Sequence, residues 1–464
     1  MHRLTHSKIF ILTVLFAFIS GIITAQLRLP SIYCDHMVVQ QNSEIPVWGW
    51  SEVNDQVTVK ASWDNVEVKG ICSHTNGRWL VKLKSPHAGG PFTIEIKNAY
   101  KSIIISDVMV GEVWVCSGQS NMEFRLAGAN TAKDEIAAST YPPVRFFKIP
   151  KTASEFPQDN CSGSWVTSNP ADMPDFSAVG YYFAKELSAR LNVTVGMINT
   201  SWGGSPIEVW MRSDIIAQDS ILNAQALKKD DRWSPIKPGA LFNSMINPVT
   251  FYPLSGAIWY QGEANVDQYP TYSKLMQNLV SCWRNEWKSD LSFYFVQIAP
   301  YTYKNGKSPY LREQQTLSRS IPNSEMVVIS DLVSDTTDIH PKDKKEVGVR
   351  LANLALAKHY SVTGIVAESP YFKDMQIKGK ELILSFTNCE NGLVYKPGKN
   401  SGFEIAGTDG KYYSANVRLK GYTISLTAKE VINPAAVRYC FTDAALPTLF
   451  SKEGLPVNSF RTVK

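Results

Sequence analysis

The chain has 464 residues, 44% of them hydrophobic and 19% charged, and its 47 Lys and Arg against 42 Asp and Glu give a net charge of +5. That length accommodates about three domains, and the composition is that of a globular chain rather than a disordered or fibrous one. The charge is mild and no basic run dominates any stretch, which excludes a nucleic-acid footprint.

Residues 1–25 read as a signal peptide. Arg3 and Lys8 supply the positive start, 9–23 is an apolar run, and Ile23-Thr24-Ala25 before Gln26 resembles a cleavage site. The run is short for a membrane span of about 20 residues, and no cysteine stands at the cleavage point to carry a lipid. The expected destination is the periplasm or the exterior, with no membrane span once the leader is removed. The seven cysteines, Cys34, Cys72, Cys116, Cys161, Cys282, Cys389 and Cys440, show no CxxC spacing, so neither a zinc motif nor a redox motif is expected. Their odd number leaves at least one thiol free. Cys116 falls in an expected core strand, where a small apolar role fits best.

Residues 26–108 read as an all-β region. Val57-Thr58-Val59-Lys60-Ala61 and Phe92-Thr93-Ile94-Glu95-Ile96 alternate, and turns are signalled by Asn54-Asp55, Asn76-Gly77 and Gly89-Gly90-Pro91. This pattern suggests a small sandwich. Over 109–361 strands alternate with helices. Helices are expected at Ala178–Leu191, Tyr272–Trp287 and 344–359, with strands at 193–198, 257–260, 293–298 and 326–330. Such alternation implies a parallel sheet covered on both faces, with sites at the carboxyl ends of its strands. Residues 362–464 return to β: 382–386 and 422–426 alternate, and turns fall at Gly407-Thr408-Asp409-Gly410 and Asn433-Pro434.

Four segments carry candidate chemistry. The first, Gly118-Gln119-Ser120-Asn121-Met122, follows the apolar run Val113-Trp114-Val115-Cys116. A serine where a strand turns into a helix is where a hydrolase presents an attacking hydroxyl, although a simple helix cap has the same local look. Met122 stands where the GxSxG elbow has glycine, so that motif is excluded. The second, Ser201-Trp202-Gly203-Gly204-Ser205, has two glycines that let backbone N–H groups approach an oxyanion, or make only a tight turn. The third, Tyr260-Gln261-Gly262-Glu263-Ala264-Asn265, offers the Asn265 amide as another oxyanion donor and Glu263 as a supporting carboxylate. The fourth, Asp335-Thr336-Thr337-Asp338-Ile339-His340-Pro341, offers His340 as a general base with acids close by. All four fall at successive strand ends, nucleophile first and base last.

On these residues the chain resembles the SGNH/GDSL hydrolase superfamily, in particular the sialate O-acetylesterase-like carbohydrate esterases. The matching stretches begin at Gly111-Glu112-Val113-Trp114, Trp202-Gly203-Gly204-Ser205, Ile258-Trp259-Tyr260-Gln261 and Asp338-Ile339-His340-Pro341, the last extending through Val347-Gly348-Val349-Arg350-Leu351. The resemblance implies a three-layer α/β/α core with a parallel sheet, flanked by N-terminal and C-terminal β-sandwich-like regions. It implies Ser120 as nucleophile and His340 as base. The oxyanion hole would come from Gly203 or Gly204, the Asn265 amide and the Ser120 N–H, with Gln119 in support. No metal or organic cofactor is implied.

The superfamily's acid stands three residues before the histidine, and here that position is Thr337. Asp338 is the first choice to replace it, Asp335 the second and Glu263 the third; a backbone carbonyl is a further alternative. The expected substrate is an acetylated sugar, either a 9-O-acetyl sialic acid or a fragment of xylan, xyloglucan or pectin. The segment 230–239, the aromatics Trp202, Trp210 and Trp233, and Arg312 are candidates for reading the sugar, each against an ordinary structural role. A non-catalytic carbohydrate-binding protein is the contrasting expectation. The oligomeric state is open.

Overall fold

The computed structural model describes residues 27–226, 233–398 and 400–462. The leader expected over residues 1–25 lies outside the described residues. The architecture is mixed α/β, with a sheet that is largely parallel and β regions on either side of it in sequence.

The organising element is a 17-residue strand, Ser102–Gly118. Its first half pairs antiparallel with Gly89–Lys97 in the N-terminal β region. Its second half enters the parallel sheet, between Val195–Ser201 on one side and Gly256–Tyr260 on the other. Tyr141–Lys148 lies beyond the first neighbour, and Ser292–Val296 then Ser324–Val327 lie beyond the second. Trp165–Ser168 closes one edge antiparallel. The chain steps outward in opposite directions from the long strand, so a crevice forms at that strand's carboxyl end.

Residues along the second half of this strand alternate between two cores. Val113 and Val115 belong to one face, Trp114 and Cys116 to the other. Every side chain is buried because helices cover both faces, so the strand reads as a continuous apolar run. Helices Ala178–Leu191 and Lys344–Leu354 cover the Trp114 face. A Cβ on Gly180 would come 2.9 Å from Cys116 Sγ, and one on Gly348 would fall 2.6 Å from Tyr182 Cβ. Helix Tyr272–Trp287 covers the other face, where Trp283 sits edge-on to Trp259 and Phe293. The expected helices at Ala178–Leu191 and Tyr272–Trp287 are present at those bounds. The one expected over 344–359 ends its α-helical part at Leu354 and continues as a π-helical turn, Ala355–His359.

The strand expected at 193–198 is instead Val195–Ser201. Asn192 ends the preceding helix in the left-handed region at φ 56°. Val193 O accepts from Ser188 Oγ and is spent on the turn. Pairing therefore starts later and runs on to Ser201, which places the Gly203-Gly204 turn level with Gly118.

The N-terminal β residues Val57, Val59, Ile94 and Ile96 share one continuous core with Val113 and Trp259 of the sheet. The C-terminal β region has its own core, including Leu382, Leu384, Phe403, Ile424 and Tyr439. It docks on helix Ser308–Leu317: Asp443 accepts from Ser308 Oγ at 2.8 Å, and Arg461 forms a two-pronged pair with Glu313 at 2.9 and 3.0 Å. All seven cysteines are free thiols, and Cys116 is fully buried in the core. Among the described residues no helix is long and apolar enough to cross a membrane.

Candidate active site

The site lies at the carboxyl ends of the long strand and its two neighbours. Gly118 adopts φ +136°, and a Cβ there would come 2.2 Å from the Tyr260 carbonyl oxygen. Only glycine fits this crossing. Gln119 N–H donates to that same carbonyl at 3.0 Å. Ser120 then opens the one-turn helix Ser120–Glu123, whose cap residue is Gln119. A role for Ser120 as a mere helix cap is thereby removed.

The Ser201 turn closes against this serine. Trp202 N–H donates to Gly118 O at 3.0 Å, and a Cβ on Gly203 would lie 3.3 Å from Ser120 Cβ. The Gly203 N–H is already engaged: it donates to Glu123 Oε2 at 2.6 Å. The other oxygen of Glu123 holds Lys151 Nζ at 2.5 Å. Gly204 sits at φ +75° under Trp233.

His340 reaches the serine from the fourth segment, with Nε2 2.8 Å from Ser120 Oγ. Burial, and then the charge of Lys344, hold its pKa below the ordinary value, while Asp338 pulls the other way. Asp338 Oδ1 accepts from the His340 backbone N–H at 2.9 Å and lies 4.0 Å from Nδ1. That is beyond hydrogen-bond reach of the ring, and the carboxylate is 42% exposed. Asp335 turns away to accept from Thr337 N–H and Oγ1 at 2.8 and 2.7 Å. Glu263 Oε1 accepts from Asn121 Nδ2 at 2.6 Å, and burial raises its pKa. Of the three candidate acids, Asp338 is the one beside the imidazole.

Asn265 is fully buried and wired on both sides. Its oxygen accepts from Ile207 N–H at 3.0 Å and Gln261 Nε2 at 2.8 Å, and its Nδ2 donates to Glu208 Oε2 at 3.0 Å. The carboxylate draws one amide hydrogen and fixes the orientation of the group. Gln119 braces the same turn, with Oε1 accepting from Ala264 N–H at 3.1 Å.

A cleft of about 430 Å³ opens beside the pair, lined by Ser120, Glu123, Phe124, Arg125, Ala127, Gly128 and His340. Another, of about 380 Å³, lies near Met109, Tyr141 and Thr194 and contains none of these groups. Trp202 is half-buried with Lys151 Nζ over its ring, Trp210 is buried, and Trp233 is 73% exposed. Residues 230–232 of the 230–239 segment lie outside the described residues. Arg312 is buried at the inter-domain contact, donating to Thr442 O at 2.5 Å, and does not line the cleft. Among the described residues no group of three or more His, Cys, Asp or Glu side chains is arranged to hold a metal ion.

Three further side chains meet here that sequence reasoning did not single out: Glu123, Asn121 and Lys344. Asn121 and Glu123 were visible as polar neighbours of the serine. Lys344 carried no signal beyond opening the helix after His340-Pro341, since its burial is a property of the fold.

The family model for carbohydrate esterase, sialic acid-specific acetylesterase, matches residues 110–357. The sialate O-acetylesterase of Rattus norvegicus is 28% identical over 444 residues, covering 82% of each chain. That of Homo sapiens is 28% identical over 419 residues, covering 82% of this chain and 80% of the human one. A crystal structure of a carbohydrate acetylesterase from Xanthomonas citri superposes with a TM-score of 0.86 at 34% identity, covering 95% of this chain and 100% of that one. Fold, site segments and likeness agree: the chain belongs to the carbohydrate esterase, sialic acid-specific acetylesterase family.

Proposed function

We propose that this carbohydrate O-acetylesterase works by a serine acyl-enzyme mechanism of the SGNH type, and that its substrate is an O-acetylated sialic acid. The observation that carries the mechanism is the 2.8 Å contact between Ser120 Oγ and His340 Nε2 at the mouth of the cleft. His340 takes the hydroxyl proton as Ser120 Oγ attacks the acetyl carbonyl. The negative charge that develops on the carbonyl oxygen is met by the Ser120 N–H, the Gly204 N–H and the second Nδ2 hydrogen of Asn265. Gly203 is the weaker candidate, because Glu123 occupies its N–H. The imidazolium then protonates the departing sugar oxygen, and the C–O bond to the sugar breaks. In the second half His340 deprotonates water as its oxygen attacks the acetyl carbon; the bond to Ser120 Oγ breaks, acetate leaves, and the imidazolium returns its proton to Oγ. Asp338 supports the imidazolium electrostatically and positions its backbone, rather than through a hydrogen bond to Nδ1.

The sialic acid assignment rests on the family match and on the two mammalian relatives. Arg125 lines the cleft and pairs with Asp175 at 3.0 Å, and its guanidinium is the group proposed here to meet a sugar carboxylate. The enzyme is proposed to act outside the cytoplasm after removal of residues 1–25. A panel of 9-O-acetyl sialic acid, acetylated xylan and p-nitrophenyl acetate, with acetate or p-nitrophenol release as readout, tests both parts. Turnover of p-nitrophenyl acetate that vanishes in Ser120→Ala supports the mechanism. A higher kcat/KM on the sialate ester than on acetylated xylan supports the substrate, and the reverse order overturns it. Absence of all turnover by folded protein would instead identify a binding protein.

A further inference from the structure

Behind the Ser120–His340 pair lies a buried polar chain that the mechanism above does not use. Lys344, 1% exposed, donates from Nζ to Asn121 Oδ1 at 2.5 Å. Asn121 Nδ2 donates at once to Glu263 Oε1 at 2.6 Å and to the Ile339 carbonyl at 3.0 Å. A lysine only donates and a carboxylate only accepts, so the two ends fix which way the amide points. The residues tied together are telling. Asn121 is the neighbour of Ser120, and Ile339 is the neighbour of His340. One amide therefore spans the nucleophile turn and the histidine loop.

The lysine has other company. Its ammonium lies 4.8 Å from the Phe124 ring and 5.3 Å from the Tyr260 ring. The Phe124 ring in turn stands 6.4 Å from the His340 ring. The charged and titratable groups around the imidazole are Asp338 on its own loop, Lys344 and Asp343 from the helix that follows, and Glu123 and Ser120 from the nucleophile turn, with Glu263 behind Asn121 and the exposed Arg125, paired with Asp175, across the cleft. Asp338 is the carboxylate within 4.0 Å of the ring, and it is partly exposed to solvent. Lys344 is the buried cation, where charge is screened least.

We propose that Lys344 is a positioning residue of the reaction: its buried charge keeps His340 in the neutral, proton-accepting form, and its bond to Asn121 holds the histidine loop to the nucleophile turn. This rests on His340 being the base. Burial brings the Lys344 ammonium down to about 7, against the pull of Glu263, Asp338 and Asp343. Over the acid range in which His340 takes up its proton, Lys344 therefore carries its charge and opposes that uptake. Loss of the charge raises the pH at which His340 protonates.

The test is kcat/KM against pH for wild type, Lys344→Met and Asn121→Ala on p-nitrophenyl acetate. The wild-type rate falls on the acid side with an apparent pKa below the ordinary histidine value of about 6.5. Lys344→Met moves that limb up by about one pH unit, the scale of one charge acting close to a titrating group. Asn121→Ala leaves the limb in place and lowers kcat on the order of tenfold or more with KM little changed, because the reacting groups lose their alignment. A Lys344→Met limb that stays in place, or moves to lower pH, overturns the proposal while leaving His340 as base. A wild type with no acid limb overturns both. Should Lys344→Met fail to fold, the same profile on Lys344→Gln decides, since the amide keeps a donor and drops the charge: an acid limb that rises supports the proposal, and one that stays in place rejects it.

Discussion

At the residue scale, the candidate chemistry depends on a few side chains whose surroundings give them little freedom. Ser120 is presented by a glycine that nothing else can replace, since any Cβ at 118 would strike the Tyr260 carbonyl. With His340 as the proposed base, kcat/KM should drop as pH falls through its pKa, because only the neutral ring accepts a proton. Burial and Lys344 set that midpoint below the ordinary histidine range. A rate profile from roughly pH 4 to 8, bracketing that range, checks this, and a flat profile contradicts it. Ser120, Gly203, Gly204, Asn265 and His340 stand out as candidates in the sequence because each sits in a short turn with its own signature, and the structure brings Ser120 Oγ and His340 Nε2 to 2.8 Å. Their partners do not stand out. The sequence offers no partner for the Asn265 amide; the structure commits its oxygen to Ile207 and Gln261 and one of its two Nδ2 hydrogens to Glu208. A buried amide must satisfy its polar atoms, and the groups that satisfy this one lie up to 58 residues away. Lys344 and Asn121 are separated by 223 residues, so no local pattern announces their contact. Asp338 was the favoured acid on spacing alone, and it is indeed the carboxylate beside the ring, although its bond goes to the His340 backbone.

At the scale of elements, the sheet and two helices hold the histidine segment. Arg350, on helix Lys344–Leu354, forks onto Asp331 at 2.8 and 2.6 Å and donates to Val328 O at 2.7 Å. This clamps the chain as it leaves strand Ser324–Val327 on its way to His340. Arg350→Ala strands the part-buried Asp331 carboxylate and the Val328 carbonyl, and should cost about 3 kcal/mol. Urea unfolding at neutral pH measures it, and a loss below about 1 kcal/mol would show that the clamp is not holding this segment. The same helix approaches Ala178–Leu191 closely enough that Gly348 has no room for a Cβ. Helices Ala178–Leu191 and Tyr272–Trp287 were legible to the residue because spacing is local, whereas the one expected over 344–359 ends its α-helical part at Leu354. Strand ends were less so: Val195–Ser201 starts late because Val193 is spent on the helix exit, a competition that alternation alone does not show.

At the scale of the molecule, the three sequence regions are joined in different ways. The long strand Ser102–Gly118 runs without interruption from the N-terminal β region into the parallel sheet, and the two share a core. The composition shift near residue 109 therefore marks a change of partners along one strand, and no periodicity signal distinguishes that from a linker. The C-terminal region keeps its own core and meets the sheet region through polar contacts and through aromatic ones such as Phe441 on Tyr310. Arg312 is central there, donating to Thr442 O and, at 3.4 Å, to Asp443 O. Arg312→Met removes both bonds to these part-buried acceptors, and should cost on the order of 2 kcal/mol. Its expected signature is a split calorimetric transition, with the C-terminal region melting first. A single unshifted transition would remove Arg312 from the docking contact.

The central claim is that Ser120, activated by His340, carries the acetyl group between sugar and water. The direct measurement is acetate release from 9-O-acetyl sialic acid by purified wild type and by Ser120→Ala, with far-ultraviolet circular dichroism and melting temperature recorded on both. The account predicts that Ser120→Ala keeps the wild-type spectrum and melting temperature and loses activity by at least a thousandfold, the scale seen when a nucleophile is removed from such a pair. A folded Ser120→Ala protein that still releases acetate at a rate near that of the wild type would contradict it.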